Sequence, residues 1–214
     1  MGGFVLGSDY LEHRKHKTAS FVLRDGISEH GKNKMGGFVL ENDYLEHGKN
    51  KVGGFVLEND LPLERKPWEV LPLLYEVRDY LYGNWRKVSI RANSIGAWFS
   101  LLSFQGRKVD QALFVSPLLD MRRFIEEQPT REEDYYSWVL EHPVTRWNAP
   151  TFILRPEVDS VVSEESTRDF IRQHNCRLTV MRVGEHWFHT PEQLSFLREW
   201  EQSVIRSPEA SCRG

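Results

Sequence analysis

Cysteine, excess positive charge and long apolar runs are all scarce in this chain. Two cysteines, Cys176 and Cys212, among 214 residues are too few for a disulfide framework or a zinc site. One lies in a predicted helix and one in a polar tail, as reduced thiols would. The 28 Lys and Arg residues against 31 Asp and Glu give a net charge of −3, without a basic stripe, which excludes nucleic acid as a partner. No stretch approaches the roughly 18 consecutive apolar residues of a membrane span. The start Met1-Gly2-Gly3-Phe4 has no basic segment leading into an apolar one, so the expectation is no membrane association and a cytoplasmic location. At 40% the apolar fraction is low enough that part of the chain is expected to stay outside a core.

Proline is absent until Pro62, whereas ten of the 15 glycines precede residue 61. The composition therefore switches near residue 60, and a repeat of 17 residues ends there. Met1–Lys17 reads MGGFVLGSDYLEHRKHK, Thr18–Lys34 reads TASFVLRDGISEHGKNK, Met35–Lys51 reads MGGFVLENDYLEHGKNK, and Val52 starts a fourth copy that breaks off. Each copy offers one apolar triplet, such as Phe38-Val39-Leu40, enough for one short strand. Such strands bury little area against an ordering cost of roughly 1–2 kcal/mol per residue, so residues 1–51 are expected to be weakly ordered unless a sheet receives them. The expected organisation is a repeat tract over 1–51, a folded domain over 52–206 and a polar tail over 207–214.

Within the folded part, Pro67–Tyr82 places Val70, Leu73, Leu74, Val77 and Leu81 on one helical stripe behind a proline suited to a first turn. A β-branched run at Lys87–Arg91 leads through Ala92-Asn93-Ser94-Ile95-Gly96 into an apolar helix over Ala97–Phe104. Strands are predicted at Ala112–Ser116, Thr151–Leu154 and Leu178–Arg182, with a polar helical excursion over about 121–141 and a helix near Glu164–His174. Thr190-Pro191-Glu192-Gln193 opens the last helix with a capping box. Strands alternating with helices predict an α/β class with a mostly parallel sheet.

The turn at Ser94 carries the chemistry. A serine on a sharp strand-to-helix corner exposes its hydroxyl, small residues at Ala92 and Gly96 let strand and helix pass closely, and the Ile95 N–H sits at a helix N-terminus where an oxyanion would form. Serine between small residues also begins many ordinary helices, so the order of the acid and the histidine further along the chain matters. Asp159 comes after the Thr151–Leu154 strand and His186 after the Leu178–Arg182 strand, giving the order Ser, Asp, His. Asp120, after the Ala112–Ser116 strand, is a second position for the acid, and Glu157 a poorer one by spacing. His189 lies three residues beyond His186 without a third ligand in view, so no metal is expected; His142 and His174 read as loop or surface residues.

Trp68-Glu69-Val70, Arg91-Ala92-Asn93-Ser94-Ile95-Gly96-Ala97-Trp98, Ala112-Leu113-Phe114-Val115-Ser116-Pro117 and Gly184-Glu185-His186-Trp187-Phe188-His189-Thr190 occur in an order that resembles a bacterial branch of the α/β-hydrolase superfamily, over about residues 55–203. The elbow differs from G-x-S-x-G in carrying Ala92 first. The resemblance implies Ser94 as nucleophile, Asp159 as acid and His186 as base, a cap near 121–149 that sets substrate choice, and no cofactor. Val56-Leu57-Glu58-Asn59-Asp60-Leu61-Pro62 is similar to the end of the family's fourth strand, and the repeats look like copies of that segment. The resemblance then implies a domain incomplete in its N-terminal half. The family's third strand, which lies between the fourth and the nucleophile-bearing fifth, and its oxyanion loop have no visible counterpart. An apolar edge would be left at Val88–Ile90, open to self-association or to a repeat triplet.

Together these features read as a serine hydrolase acting on a small ester or acyl substrate through an acyl-enzyme, with Trp187 and Trp98 as candidate substrate contacts. An acyltransferase or peptidase on the same triad is not separated from it. The alternative from another class is a catalytically weak or inactive hydrolase-like binding or self-associating module.

Overall fold

The computed structural model describes residues 18–24, 52–58 and 66–206. In chain order these form β1 (Thr18–Arg24), β2 (Val52–Glu58), α1 (Pro67–Asn84), β3 (Lys87–Asn93), α2 (Ile95–Phe104), β4 (Gln111–Val115), α3 (Met121–Glu126), α4 (Glu133–Glu141), β5 (Thr151–Pro156), α5 (Glu164–Gln173), β6 (Cys176–Met181) and α6 (Pro191–Arg206). The strands make one sheet in the order β2-β1-β3-β4-β5-β6, parallel throughout. The predicted α/β class with a parallel sheet flanked by helices is the observed one.

Alternation along the strands divides the core between the two faces of the sheet. Ile90, Ala92, Ala112, Phe114 and Ile153 pack with buried residues of α1, α2 and α5, while Leu113, Val115, Phe152 and Leu154 pack against Leu197, Trp200 and Val204 of α6. Strands covered on both sides read as continuous apolar runs, and all six residues of β5 are buried. All ten residues of α2 are buried as well. Its two interior serines satisfy their hydroxyls locally, Ser100 on the Gly96 carbonyl at 2.8 Å and Ser103 on that of Phe99 at 2.7 Å, so the helix crosses the core without orphaned polar groups.

Several expectations are corrected. The edge at Val88–Ile90 is not open: β1 pairs along it, with Ala19 opposite Val88 and Phe21 opposite Ile90. An apolar parallel edge is completed by any strand that can reach it, and here the strand comes from the second copy of the tract. The fourth copy supplies β2, in phase with β1, Phe21-Val22-Leu23 facing Phe55-Val56-Leu57. Thus β1 takes the position that the resembled family gives to its third strand and β2 that of the fourth. Two strands precede β3 among the described residues, where that family has four. The rest of the tract, the tail from residue 207, and the Asn59–Pro62 end of the segment resembling the fourth strand lie outside the described residues.

On α1 the buried stripe runs through Val70, Leu71, Leu74 and Leu81, while Leu73 is 41% exposed; the centre of the stripe lies nearer Leu71 than the sequence pattern places it. The excursion over 121–141 is two short helices, broken around Pro129, which cannot continue a helix ladder. Cys176 begins β6 rather than lying in a helix. Among the described residues no helix is long and apolar enough to cross a membrane.

Candidate active site

Strand β3 ends at Asn93, and the chain reverses into α2 through Ser94, whose φ of 45° and ψ of −125° lie in a region that L-residues rarely adopt. Such a conformation costs about 1–3 kcal/mol and persists only where surrounding bonds impose it. Those bonds are present. The Ser94 amide donates to the Val115 carbonyl at 3.0 Å, and the Ser94 carbonyl accepts from Ala97 at 3.1 Å and Leu118 at 3.0 Å. Ser116, at the end of the neighbouring strand, has a similar φ of 43° and donates its amide to the Leu154 carbonyl at 2.8 Å. The carboxyl ends of β3, β4 and β5 are thereby tied in a row.

Asp159 sits in the loop between β5 and α5, and His186 in the loop between β6 and α6. The structure brings both to Ser94. His186 Nε2 lies 3.0 Å from Ser94 Oγ, and its Nδ1 lies 2.9 Å from each carboxylate oxygen of Asp159. Asp159 Oδ1 also accepts the Val161 and Val162 amides at 2.9 and 3.0 Å. Burial alone would raise the Asp159 pKa. The hydrogen bond from His186, the Val162 amide, the charge of His186 and the Val161 amide outweigh it and hold the carboxyl below its usual value. An ionised Asp159 can only accept, so Nδ1 carries the imidazole proton and Nε2 presents its lone pair to the Ser94 hydroxyl. The Ile95 N–H, first in α2, has no acceptor within the helix and stands beside Ser94.

The histidine loop is held by contacts that sequence reasoning passes over. Gln193 is visible in the sequence only as the closing residue of a capping box. In the structure its Oε1 accepts the His189 amide at 3.0 Å and the Thr190 amide at 3.4 Å, and its Nε2 donates to the Val183 carbonyl at 3.4 Å. It therefore grips the loop on both sides of His186. Gly184 lets the same loop approach β5: a Cβ there would meet Pro156 Cβ at 3.0 Å and Pro156 Cα at 3.2 Å.

The other candidates lie elsewhere. Asp120 is the N-cap of α3, accepting the Arg123 amide at 3.0 Å, and makes no bond to His186. His189 directs Nδ1 to the Trp187 carbonyl at 2.7 Å, His142 bonds the Trp138 carbonyl and His174 that of Trp147. Trp98 is buried among Phe99, Tyr135 and Trp138 and forms one wall of a cavity of about 340 Å³ between α2, the α3–α4 segment and α5. Trp187 is 39% exposed and stands edge-on to the His186 ring with centroids 4.6 Å apart. The resembled family takes a second oxyanion donor from the loop after the strand in the position of β1; that loop falls outside the described residues.

No family model matches the sequence, and no curated protein is similar to it by sequence. Solved structures are similar in fold. Est1E from Butyrivibrio proteoclasticus is 14% identical, with 92% of this chain and 90% of that one aligned at a TM-score of 0.63. The esterase Est2 from the Planctomycetes species Thermogutta terrifontis is 11% identical over 94% and 84% at a TM-score of 0.59. MGS-MChE2, an alpha/beta hydrolase from a lagoon-sediment metagenome, is 17% identical over 89% and 94% at 0.55. With its parallel sheet, strand order and elbow, the chain has the fold of the α/β hydrolases.

Proposed function

We propose that the protein is a serine hydrolase that cleaves ester-type bonds through an acyl-enzyme. One observation carries this reading: the Ser94 hydroxyl, His186 and Asp159 form a continuous hydrogen-bonded chain at a strained strand-to-helix corner. As Ser94 Oγ attacks an acyl carbonyl, its proton passes to His186 Nε2, and Asp159 stabilises the resulting imidazolium without taking the proton. The developing oxyanion is met by the Ile95 N–H. Collapse of the tetrahedral adduct breaks the bond to the leaving group, which takes the proton from Nε2. A water then gives its proton to His186, attacks the acyl group and frees Ser94. Trp187, beside the base and partly exposed, contacts the bound substrate, whereas Trp98 supports the wall between the elbow helix and the cap.

The names of the structural neighbours, esterases and an alpha/beta hydrolase, support this reading. A fluorophosphonate probe tests it: labelling of the full-length protein at Ser94, abolished in Ser94→Ala, is the expected result. No labelling, or labelling that persists in Ser94→Ala, overturns it and leaves the binding-module alternative.

A further inference from the structure

Strand β5 carries one charged side chain, and it is buried. Arg155 is 5% exposed, and its guanidinium has a single acid within ion-pair distance among the described residues, Glu164 at 3.5 Å. A buried guanidinium is costly to keep, and no other residue of the strand carries a charge. Its position gives it a use. Arg155 is next to last in β5 and Glu164 is first in α5, so the ion pair joins the two ends of the loop that carries Asp159. Inside the loop the Asp159 carboxylate accepts the Val161 and Val162 amides, which shapes the turn but does not join its two ends. The Glu157 amide bonds the Met181 carbonyl at 2.9 Å, and Ser163, the N-cap of α5, makes no side-chain cap bond. The start of α5 is therefore not secured by its own cap, while Glu164 is steadied by Arg168 at 2.7 Å.

We propose that Arg155 is a positioning residue whose ion pair with Glu164 closes the neck of the acid loop and keeps the Asp159 carboxylate on His186. The proposal rests on Asp159 acting as the acid of the triad. Among the described residues Asp159 is the only charged side chain bonded to His186; Glu185 and His189 face each other at 3.9 Å on the exposed side of the histidine loop. A displaced carboxylate lengthens its hydrogen bond from the His186 Nδ1 proton, which loosens the ring and changes the environment of that proton.

The test is the low-field NMR signal of the His186 Nδ1 proton in the full chain, with Ser94 labelling rate and thermal midpoint recorded alongside. Arg155→Met should move that signal and slow labelling roughly tenfold. Its melting temperature should change little, because an apolar side chain of similar length fills the buried site and the Glu164 carboxylate left behind is half-exposed and keeps Arg168. Glu164→Gln should move the signal in the same direction. Arg155→Lys should restore most of it, and the double variant should be no worse than Arg155→Met. An unchanged Nδ1 proton signal in Arg155→Met, whatever its melting temperature, overturns the proposal; should that variant fail to fold, an unchanged signal in Glu164→Gln overturns it equally. The signal is read without turnover, so a wild-type protein that no fluorophosphonate labels refutes the hydrolase reading separately.

Discussion

The amide of Leu118 donates to the carbonyl of Ser94 at 3.0 Å. A trans peptide is planar, with its C=O and N–H opposed, so fixing the Ser94 carbonyl from one side aims the Ile95 N–H to the other. The loop after β4 thus orients the N–H proposed to meet the oxyanion, though no side chain of that loop joins the Ser94–His186–Asp159 chain. Leu118→Pro removes the donating N–H. Turnover of an activated ester should drop between roughly tenfold and 10³-fold with KM little changed, since the contact matters when the oxyanion forms; a rise in KM alone would contradict this.

Asp159→Asn should leave the protein folded and lower turnover by about 10⁴, the magnitude seen for the same change in the serine-protease triad, because an amide favours the wrong imidazole tautomer. Asp120→Asn keeps an acceptor at the α3 N-cap and should change turnover less than about twofold. Steady-state kinetics of the two variants decide the assignment, and a reversed ranking would move the acid to the earlier strand. Likewise His186→Ala should abolish labelling of Ser94, whereas His189→Ala, whose ring bonds the nearby Trp187 carbonyl and faces Glu185, should not.

The proposed triad is legible in the sequence because its information is local. A serine between small residues at a strand end, an acid and a histidine each a few residues past a strand, and their order along the chain all survive without knowledge of the packing. Strand ends are readable to within two residues, as at Gln111–Val115 and Thr151–Pro156, because apolar runs mark strands covered on both faces. Sequence order cannot show which copy of Phe-Val-Leu lies against β3, since the copies offer the same triplet and only the sheet distinguishes Phe21 from Phe38. Nor can it reveal the contacts of Arg155, Gln193 or Ser116 around the site, because these bridge loops whose path composition does not encode or depend on an unusual backbone conformation.

Ser116 combines a φ of 43° with a buried hydroxyl that has no hydrogen-bond partner among the described residues. Glycine removes both penalties at the cost of a small void, so Ser116→Gly should raise the melting temperature by about 2–4 °C, equivalent to roughly 1 kcal/mol. Ser116→Ala removes only the orphaned hydroxyl and should gain less. Calorimetry that ranks alanine above glycine would show that the backbone at this position is not strained.

Stability should fall at high pH through two tyrosines. Burial raises the pKa of Tyr82 to about 12, against smaller opposing effects from Arg107 and Arg78, and burial with the nearby charge of Glu132 raises that of Tyr135 further. A raised folded-state value favours the protonated phenol in the fold. The stabilisation is therefore complete below the unfolded value of about 10 and is lost as pH climbs through the folded one. Chemical denaturation between pH 9 and 12 should show this decline, and Tyr135→Phe should flatten it. Tyr82→Phe should flatten it too, while costing about 1 kcal/mol at neutral pH because the Lys108 carbonyl loses its 2.8 Å donor.

The strand completed from the N-terminal tract, β1, pairs with β3 on one side and β2 on the other, so it is an interior strand, and β2 reaches the sheet only through it. Deleting residues 1–51 removes β1, strips β3 of its partner over Thr18–Leu23 and should lower both the melting temperature and the Ser94 labelling rate, since β3 leads directly into Ser94. Deleting Thr18–Lys34 alone should be milder. Met35–Lys51 then takes its place with the same Phe-Val-Leu triplet at the same distance from the chain start, and a parallel strand needs the apolar pattern rather than one particular copy. Val22→Pro takes an interior ladder N–H from β1 without shortening the tract and should cost about 3 kcal/mol or more. Circular dichroism melts and fluorophosphonate labelling of these three variants check the ranking. Equal melting temperatures for the full chain and the 1–51 deletion would mean that β3 does not depend on the tract for its stability.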